Sequence, residues 1–148
     1  MTSFRFPLEK VLSWRRTQLE IEQARYGQKV AAVAALDHAR AELEASGIQA
    51  EAQVRGWNRV AGSDLAALGG FRRAVRVKEA QVAKRRAESA QAADAHLKLV
   101  LEAQGRCRLL ERLRERRQAE WNAANERDLE QLATESYLAR FAREHRAS

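Results

Sequence analysis

Apolar residues recur along most of the chain at intervals of three and four. In the first half the repeat runs through Leu12, Leu19, Tyr26 and Val33, and then through Leu36, Leu43, Ala50 and Trp57. In the second half it runs through Phe71, Val75, Val82, Ser89, Ala92, His96, Leu99, Ala103, Leu110 and Leu113. This spacing places the residues on one face of a helix, so it predicts two long helices with coiled-coil seams. Few residues are β-branched, and we expect no sheet.

The start of the first helix is indicated by a proline, and its end by the glycine cluster that follows it. Pro7 is the only proline, and its fixed φ suits the first turn of a helix, where its missing N–H is not needed. Glu9 places a negative charge near the N-terminal end of the helix dipole. The first helix is therefore predicted over about 6–60.

Three glycines cluster near the middle of the chain and predict the turn. Gly62 is suited to the left-handed conformation that ends a helix, and Ser63 or Asp64 to capping the next one. Gly69 and Gly70 either lengthen the turn or soften the start of the second helix. The turn is placed within 61–70 and the second helix over about 71–142.

A fold-back at this turn aligns the two apolar repeats. Facing residues in an antiparallel hairpin then have numbers that add to about 125. The predicted pairs are Leu43 with Val82, Tyr26 with Leu99, and Leu12 with Leu113. The fold class is thus all-α, with residues 1–148 forming a single antiparallel coiled-coil hairpin whose second helix is the longer. Residues beyond about 120 have no partner in the first helix, and their apolar side chains suggest a binding partner.

Composition restricts the class of protein further. Hydrophobic residues make up 45% of the chain, but aromatic residues only 6% and charged residues 32%, so large side chains for a thick core are scarce. No apolar run approaches the roughly 20 residues needed to span a bilayer. Arg5, Glu9 and Lys10 lie where a signal peptide would be apolar, and we expect a cytosolic protein.

Positive charge is concentrated in the second half. Residues 69–148 carry 18 Lys/Arg against 12 Asp/Glu, whereas residues 1–68 carry 9 against 8. Two basic blocks dominate: Arg72, Arg73, Arg76, Lys78, Lys84, Arg85 and Arg86, then Arg106, Arg108, Arg112, Arg114, Arg116 and Arg117. Such clusters are typical of phosphate binding, but interleaved glutamates favour a solvated coiled-coil flank over nucleic-acid binding. An acidic protein surface fits the same charges.

The sequence contains no recognisable catalytic, metal or cofactor site. His38, His96 and His145 are far apart and lack neighbouring ligands at metal-binding spacing. Cys107 stands between Arg106 and Arg108, which would lower its pKa, but no base accompanies it and a small residue at the core edge is the better interpretation. We expect no enzyme activity, no metal, no cofactor and no small-molecule substrate.

Two segments carry a family resemblance. The block Phe4–Leu12, followed by Arg15, Arg16 and Glu20, resembles the start of the flagellar FliJ proteins, the coiled-coil component of the bacterial flagellar type III export apparatus. Leu110–Arg117, continuing through Glu120, Trp121 and Arg127, is similar to the basic, Leu-rich C-terminal segment of that family. Phe71, Val75 and Gln81 fall where family members carry an aromatic residue, an aliphatic residue and a glutamine.

The resemblance implies a role in flagellum biogenesis and motility. FliJ-like proteins are antiparallel two-helix coiled coils that associate with a hexameric export ATPase and help its ring to assemble. They also engage the membrane-embedded export gate and export chaperones, at the cytoplasmic face of the inner membrane at the flagellar base. The implied ATPase contacts are Trp14, Arg15, Arg16, Arg112, Arg116, Arg117 and Trp121, and the implied gate contacts are Phe71, Val75 and Gln81. For each single residue, an ordinary coiled-coil position is the competing interpretation.

Three alternatives remain open at the level of the sequence. The first is the stalk of a virulence-type III secretion system, which has the same shape. The second is a generic basic coiled-coil scaffold, and the third is a basic helix that binds nucleic acid or an anionic membrane.

Overall fold

Two helices account for nearly all of the chain in the computed structural model, which describes residues 2–147. Helix α1 spans Glu9–Arg55 (47 residues) and helix α2 spans Gly62–Arg146 (85 residues). Residues 2–147 contain no strand. The predicted all-α antiparallel hairpin, with its second helix the longer, is confirmed. Neither helix, over the described residues, has a stretch long and apolar enough to cross a membrane.

Helix α1 begins three residues later than the sequence predicted. Pro7 and Leu8 form a turn that precedes the helix. The Glu9 N–H donates to the Phe6 carbonyl at 3.1 Å, and the Leu12 N–H donates to the Leu8 carbonyl at 2.9 Å, which is the first bond of α-helical type. Residues 2–6 belong to no helix, so the segment before Pro7 can pack away from the axis of α1.

The connection lies at residues 56–61, earlier than the predicted turn at 61–70. The Gly56 N–H bonds to the carbonyls of both Ala52 and Gln53 at 3.2 Å, which tightens and ends the last turn of α1. No residue from 2 to 147 has a positive φ, so the left-handed glycine proposed at position 62 is wrong. Gly62 is instead the first residue of α2, and Gly69 and Gly70 lie within the helix.

An aspartate cap explains why α2 begins nine residues earlier than predicted. The Ala61 carbonyl accepts the Leu65 N–H at 3.2 Å, and the Asp64 carboxylate accepts the Ala61 N–H at 3.0 Å. The residue three positions into the helix thus reaches back to the capping position, as in one half of a capping box. Its negative charge also lies at the favourable end of the dipole. Together these contacts offset the helix-weakening effect of Gly69 and Gly70.

The chain forms two compact units, each containing a segment of both helices. The turn unit comprises Glu20–Glu102, including the connection. The terminal unit comprises residues 2–19 and 103–147. Within the terminal unit, α2 continues beyond the residues of α1, and every residue from 126 to 147 is exposed. We call residues 126–146 the C-terminal extension.

The side of α2 that is shielded from solvent follows the predicted heptad spacing with local corrections. Its buried and half-buried residues include Val75, Val82, Ser89, Ala93, His96, Val100, Ala103, Cys107 and Leu110. Phe71, Ala92 and Leu99 were predicted on this stripe and are exposed. Trp57, which was predicted on the repeat of the first helix, is also exposed. Ala93 and Val100 occupy the seam in place of Ala92 and Leu99. Steps of four and three residues that alternate strictly from Val75 reach positions 93 and 100. The pairing of Tyr26 with Leu99 is accordingly displaced from the seam.

The register of the antiparallel pairing is close to the predicted one. In the turn unit, Arg86 contacts Asp37 at 2.6 Å and Arg72 contacts Glu51 at 2.7 Å, so the numbers of each pair add to 123. Leu43 and Val82 line the same groove, as the fold-back required. In the terminal unit, Glu9 contacts Arg114 and Arg16 contacts Glu111, so the numbers of these pairs add to 123 and 127. The fold-back rule therefore holds in both units.

His96 is the one buried polar residue of the seam among residues 2–147. Its Nε2 lies 2.8 Å from Glu22 Oε2 and 3.2 Å from the Glu22 carbonyl oxygen. Glu22 Oε2 is itself buried and, despite this short distance, takes part in no hydrogen bond of good geometry with a described residue. The imidazole of His96 is the polar group that faces this oxygen. The pair therefore places two polar groups inside the seam of the turn unit.

Replacing His96 with leucine should destabilise the protein by about 1–3 kcal/mol, because the Glu22 carboxylate would lose its polar neighbour in a buried position. Urea unfolding followed by circular dichroism measures the effect. Combining His96→Leu with Glu22→Leu should recover most of the loss, since both polar groups are then removed. His38→Ala is the matched control, because that side chain is 75% exposed. Equal midpoints for the two single histidine variants would contradict a structural role for the pair.

Candidate functional site

The N-terminal segment packs back onto α2 in the terminal unit. Phe6 is 7% exposed, and the ring of Phe4 lies 6.3 Å from that of Trp121 at an interplanar angle of 56°. Tilted aromatic pairs at this separation are favourable beyond the area that they bury. The segment before Pro7 is therefore part of the packed structure, and it adds a second layer to the side of α2.

Arg114 ties this segment to both helices. Its Nε donates to Glu9 Oε2 at 2.9 Å, its guanidinium carbon lies 5.9 Å from the centre of the Phe4 ring, and its Nη1 donates to Gln118 Oε1 at 3.4 Å. An arginine can form a planar ion pair and face an aromatic ring at the same time, which a lysine does less well. Arg114 thus fixes the position of the first turn of α1 relative to Phe4.

A groove opens between the N-terminal segment and α2, and we call it the terminal groove. One side is formed by Phe4, Arg5, Phe6, Pro7 and Leu8, and the other by Leu113, Arg117, Glu120 and Trp121. It has a volume of about 690 Å³. Its floor is apolar and aromatic, whereas Arg5, Arg117 and Glu120 supply charge at its edges. Such a surface is suited to an apolar side chain presented by a protein partner.

The seven residues implied as ATPase contacts all fall in the terminal unit. On α1, the guanidinium of Arg15 lies 4.8 Å from the ring centre of Trp14, which is 53% exposed, and Arg16 Nε lies 3.4 Å from Glu111. On α2, Arg117 and Trp121 line the terminal groove. These contacts hold the side chains in place while leaving much of their surface open to solvent.

Arg112 and Arg116 differ from the other arginines of this set. Both are exposed, and within the described chain neither forms an ion pair or lies over an aromatic ring. They are one helical turn apart, so they share a face of α2. Excluding the C-terminal extension, residues 2–19 and 103–125 carry 10 Lys/Arg and 4 Asp/Glu. The uncompensated charge of the terminal unit is therefore concentrated on its paired part.

The residues implied as gate contacts lie in the turn unit and have different surroundings. Phe71 is 40% exposed, and Gln81 is exposed and lines a groove with Leu43 and Val82. Val75 is only 9% exposed. Val75 is accordingly a seam residue in this conformation, while Phe71 and Gln81 present surface.

Cys107 is a core residue of the terminal unit and is 3% exposed. Burial raises the pKa of its thiol, and the Glu111 carboxylate raises it further, while Arg16 and Arg15 act in the opposite direction. The sequence had indicated a lowered pKa from Arg106 and Arg108, and that inference is wrong. Those two side chains are exposed on the outer side of α2, whereas the thiol points into the seam, where desolvation dominates.

The aromatic rings and arginines of the terminal unit are arranged in a way that is suited to binding a partner. Across residues 2–147, no cluster of three or more His, Cys, Asp or Glu side chains is placed to hold a metal ion. The aromatic rings and arginines of the terminal unit offer apolar area and positive charge to a partner.

Sequence reasoning missed three contributors to this site. The sequence indicated Phe4 and Phe6 only as part of the resembling block Phe4–Leu12, and Arg114 as one member of a basic block. The available signal was the position of the only proline: aromatic residues directly before a helix start can staple the entering chain onto a neighbouring surface. The sequence does not specify which surface.

No family model, curated protein or solved structure matches this chain. The family resemblance therefore depends on the residues quoted for it from the sequence.

Replacing Trp121 with alanine should loosen the N-terminal segment, because Phe4 would lose its ring partner. The loss of an aromatic pair should raise the fraction of molecules whose N-terminal segment is detached from α2 by roughly 2- to 10-fold. Limited proteolysis with trypsin, followed at the Arg5–Phe6 bond by mass spectrometry, measures the change. Trp57→Ala is the matched control, since Trp57 lies in the connection and is 50% exposed. If both variants were cleaved at Arg5 at the wild-type rate, the packing of Phe4 on Trp121 would not hold the segment.

The thiol of Cys107 should react slowly with iodoacetamide in the folded protein. At about pH 8 the expected rate is roughly tenfold or more below that of the urea-unfolded chain, because the raised pKa leaves less thiolate and burial limits access. The rate should also rise with pH at a higher midpoint than in the unfolded chain. A Cys107→Ala/Leu109→Cys variant provides an exposed thiol as control, since Leu109 is 69% exposed. Equal rates for the two folded proteins would exclude the buried position of Cys107.

Proposed function

We propose that this protein is a non-enzymatic stalk and adaptor of the bacterial flagellar type III export apparatus. In this proposal the terminal unit seats in the hexameric export ATPase and promotes assembly of its ring. The protein also links the ATPase to the export gate and to substrate chaperones at the cytoplasmic face of the inner membrane. It contributes binding surfaces and no chemistry of its own.

One observation carries this proposal above the others. The block Phe4–Leu12, which bears the strongest family resemblance, contacts Trp121 of the second resembling segment through Phe4 and lines a groove together with Leu113. The two segments are about a hundred residues apart in sequence, and both contribute to the terminal groove. Two separate matches to the same family thus contribute to one surface.

The charge of the terminal unit supports the same partner. An excess of arginine on the paired part attracts an acidic surface over distances of about a Debye length, roughly 8 Å at physiological salt. Exposed Arg112 and Arg116 have no competing carboxylate partner among the described residues. An acidic bore in a ring of subunits is a surface of this kind.

The turn unit provides the second half of the proposed adaptor. The family resemblance implies three gate contacts, of which Phe71 and Gln81 are exposed. We propose these two residues for the contact with the gate. Val75, buried in the seam, would act by supporting the helix pairing beneath them. A gate partner would therefore recognise the outer surface of α2 near its N-terminal end.

A stalk of a virulence-type III secretion system has the same physical requirements and is the second candidate. Neighbouring genes separate the two, because flagellar and virulence secretion genes lie in different clusters. For a nucleic-acid role the turn unit offers fewer available charges than its basic block contains, since Arg72 and Arg86 are paired with carboxylates across the seam.

Replacing Arg112, Arg116 and Arg117 together with alanine should weaken stimulation of the export ATPase. Alanine keeps the helix intact, while the loss of three exposed charges should reduce association by roughly tenfold or more at physiological salt. Hydrolysis by the purified ATPase, titrated with wild-type or variant protein, measures the effect. The difference between the two proteins should shrink as salt is raised, because exposed charges are screened.

A matched control removes three arginines from the turn unit instead. Arg73, Arg76 and Arg85 are exposed and form no ion pair within residues 2–147, so Arg73→Ala/Arg76→Ala/Arg85→Ala changes net charge equally. Stimulation by this control should match wild type. Seating through the terminal unit would be wrong if stimulation survived the first triple change and also survived removal of the chain after Trp121. The protein would then be better described as a gate or chaperone adaptor.

A further inference from the structure

The C-terminal extension is the most exposed apolar part of α2. All of residues 126–146 are exposed, and they include five large apolar side chains that are between 41% and 66% exposed. These are Leu129, Leu132, Tyr137, Leu138 and Phe141. A helix that is solvated on all sides usually carries polar residues on every face, so exposed apolar side chains in this number indicate a contact surface.

Four of the apolar residues of the extension form a single ridge. Leu129, Ala133, Tyr137 and Phe141 follow one another at intervals of four, so on an α-helix they occupy an arc of about 120°. Ridges of this spacing interdigitate with an equivalent ridge on another helix at a crossing angle of about −50°. The extension therefore presents the surface that a second helix of the same kind would fit.

The charges of the extension are divided between its two halves. Residues 126–135 carry four acidic side chains and one arginine, whereas residues 136–146 carry three arginines and one glutamate. A second copy lying antiparallel would place acidic against basic halves at both ends of the contact. A parallel copy would place like charges together.

One register satisfies both the apolar ridge and the charges. With a two-fold axis at Glu135, facing residues have numbers that add to 270. Leu129 then faces Phe141 of the second copy, and Ala133 faces Tyr137. Leu132 and Leu138 each lie about 120° from the centre of the ridge, outside this contact. The same register places Glu130 opposite Arg140, and within residues 2–147 neither side chain forms an ion pair. The like-charged pairs of this register, Glu126 with Glu144 and Arg127 with Arg143, lie towards the ends, where crossing helices diverge.

We propose that two copies of this chain associate through antiparallel pairing of their C-terminal extensions. The contact is isologous, with each residue and its partner exchanged by the two-fold axis, as in most homodimers. A polyanion is a poorer occupant, because residues 126–146 carry four arginines and five acidic side chains. The pairing does not depend on the proposed export function, and it is tested on the purified protein alone.

Sedimentation velocity of the full-length chain tests the association directly. Between roughly 1 and 100 μM, a range that spans micromolar affinity, the weight-average mass should rise from 16.8 kDa towards twice that value. Amide exchange measured across the same concentrations should slow within residues 126–146 as the dimer forms. A mass that stays at 16.8 kDa throughout would overturn the proposal.

Charge reversal tests the register. Glu130→Arg and Arg140→Glu should each weaken the dimer by roughly tenfold or more in Kd, because each creates two like-charged pairs across the axis. Mixing the two variants should restore association, since every pair at these positions in the mixed dimer is again of opposite sign. The double variant Glu130→Arg/Arg140→Glu should also dimerise.

A matched control carries the same charge change on another face. Glu135→Arg lies about 140° around the helix from position 130, so it should retain the wild-type Kd. Circular dichroism checks that all variants keep their helix content. A loss of association in Glu135→Arg equal to that in Glu130→Arg, or a failure of the mixed variants to associate, would overturn the antiparallel register.

Discussion

The structure depends on a seam between two helices that is one side chain deep. Among the described residues, Leu12 is the only large side chain with no exposed surface, and much of the seam on α2 is made of small residues such as Ser89, Ala93 and Ala103. Small side chains let two helices approach closely, but they bury little apolar area. Stability must therefore be gained evenly along the helices, and cross-helix ion pairs and the His96–Glu22 contact matter more than they would beside a thick core.

Much of the fold could be predicted from the sequence because coiled-coil pairing follows from the spacing of apolar residues along each helix. The spacing of Leu36 and Leu43 identified α1, and a single fold-back point placed Leu43 beside Val82. The spacing did not separate adjacent apolar positions, and it selected Leu99 where the seam uses Val100. The turn was misplaced because glycine only permits a helix end. Its location is decided instead by local hydrogen bonds such as that from Ala61 to Asp64.

The candidate site was less predictable than the fold, since it depends on contacts between distant residues. The arginines were visible as a basic block, but their individual roles depend on neighbours in space. Arg114 is fixed by Glu9 and Phe4, whereas Arg112 remains exposed. The docking of Phe4 on Trp121 has no periodic signature, because the segment before Pro7 belongs to no helix. Local patterns thus identified which residues are available for binding, and packing determined which of them form one surface.

The antiparallel arrangement also affects how the chain is made. Asp37 and its partner Arg86 are 49 residues apart, Glu22 and His96 are 74 apart, and Glu9 and Arg114 are 105 apart. At synthesis rates of about 5–20 residues per second, Glu9 waits roughly 5–20 s before Arg114 has been added to the chain. Helix α1 therefore leaves the ribosome first with its apolar stripe uncovered, and the contacts nearest the connection are the first that become possible. The segment that precedes α1 and lines one side of the terminal groove acquires its partner, Trp121, later still.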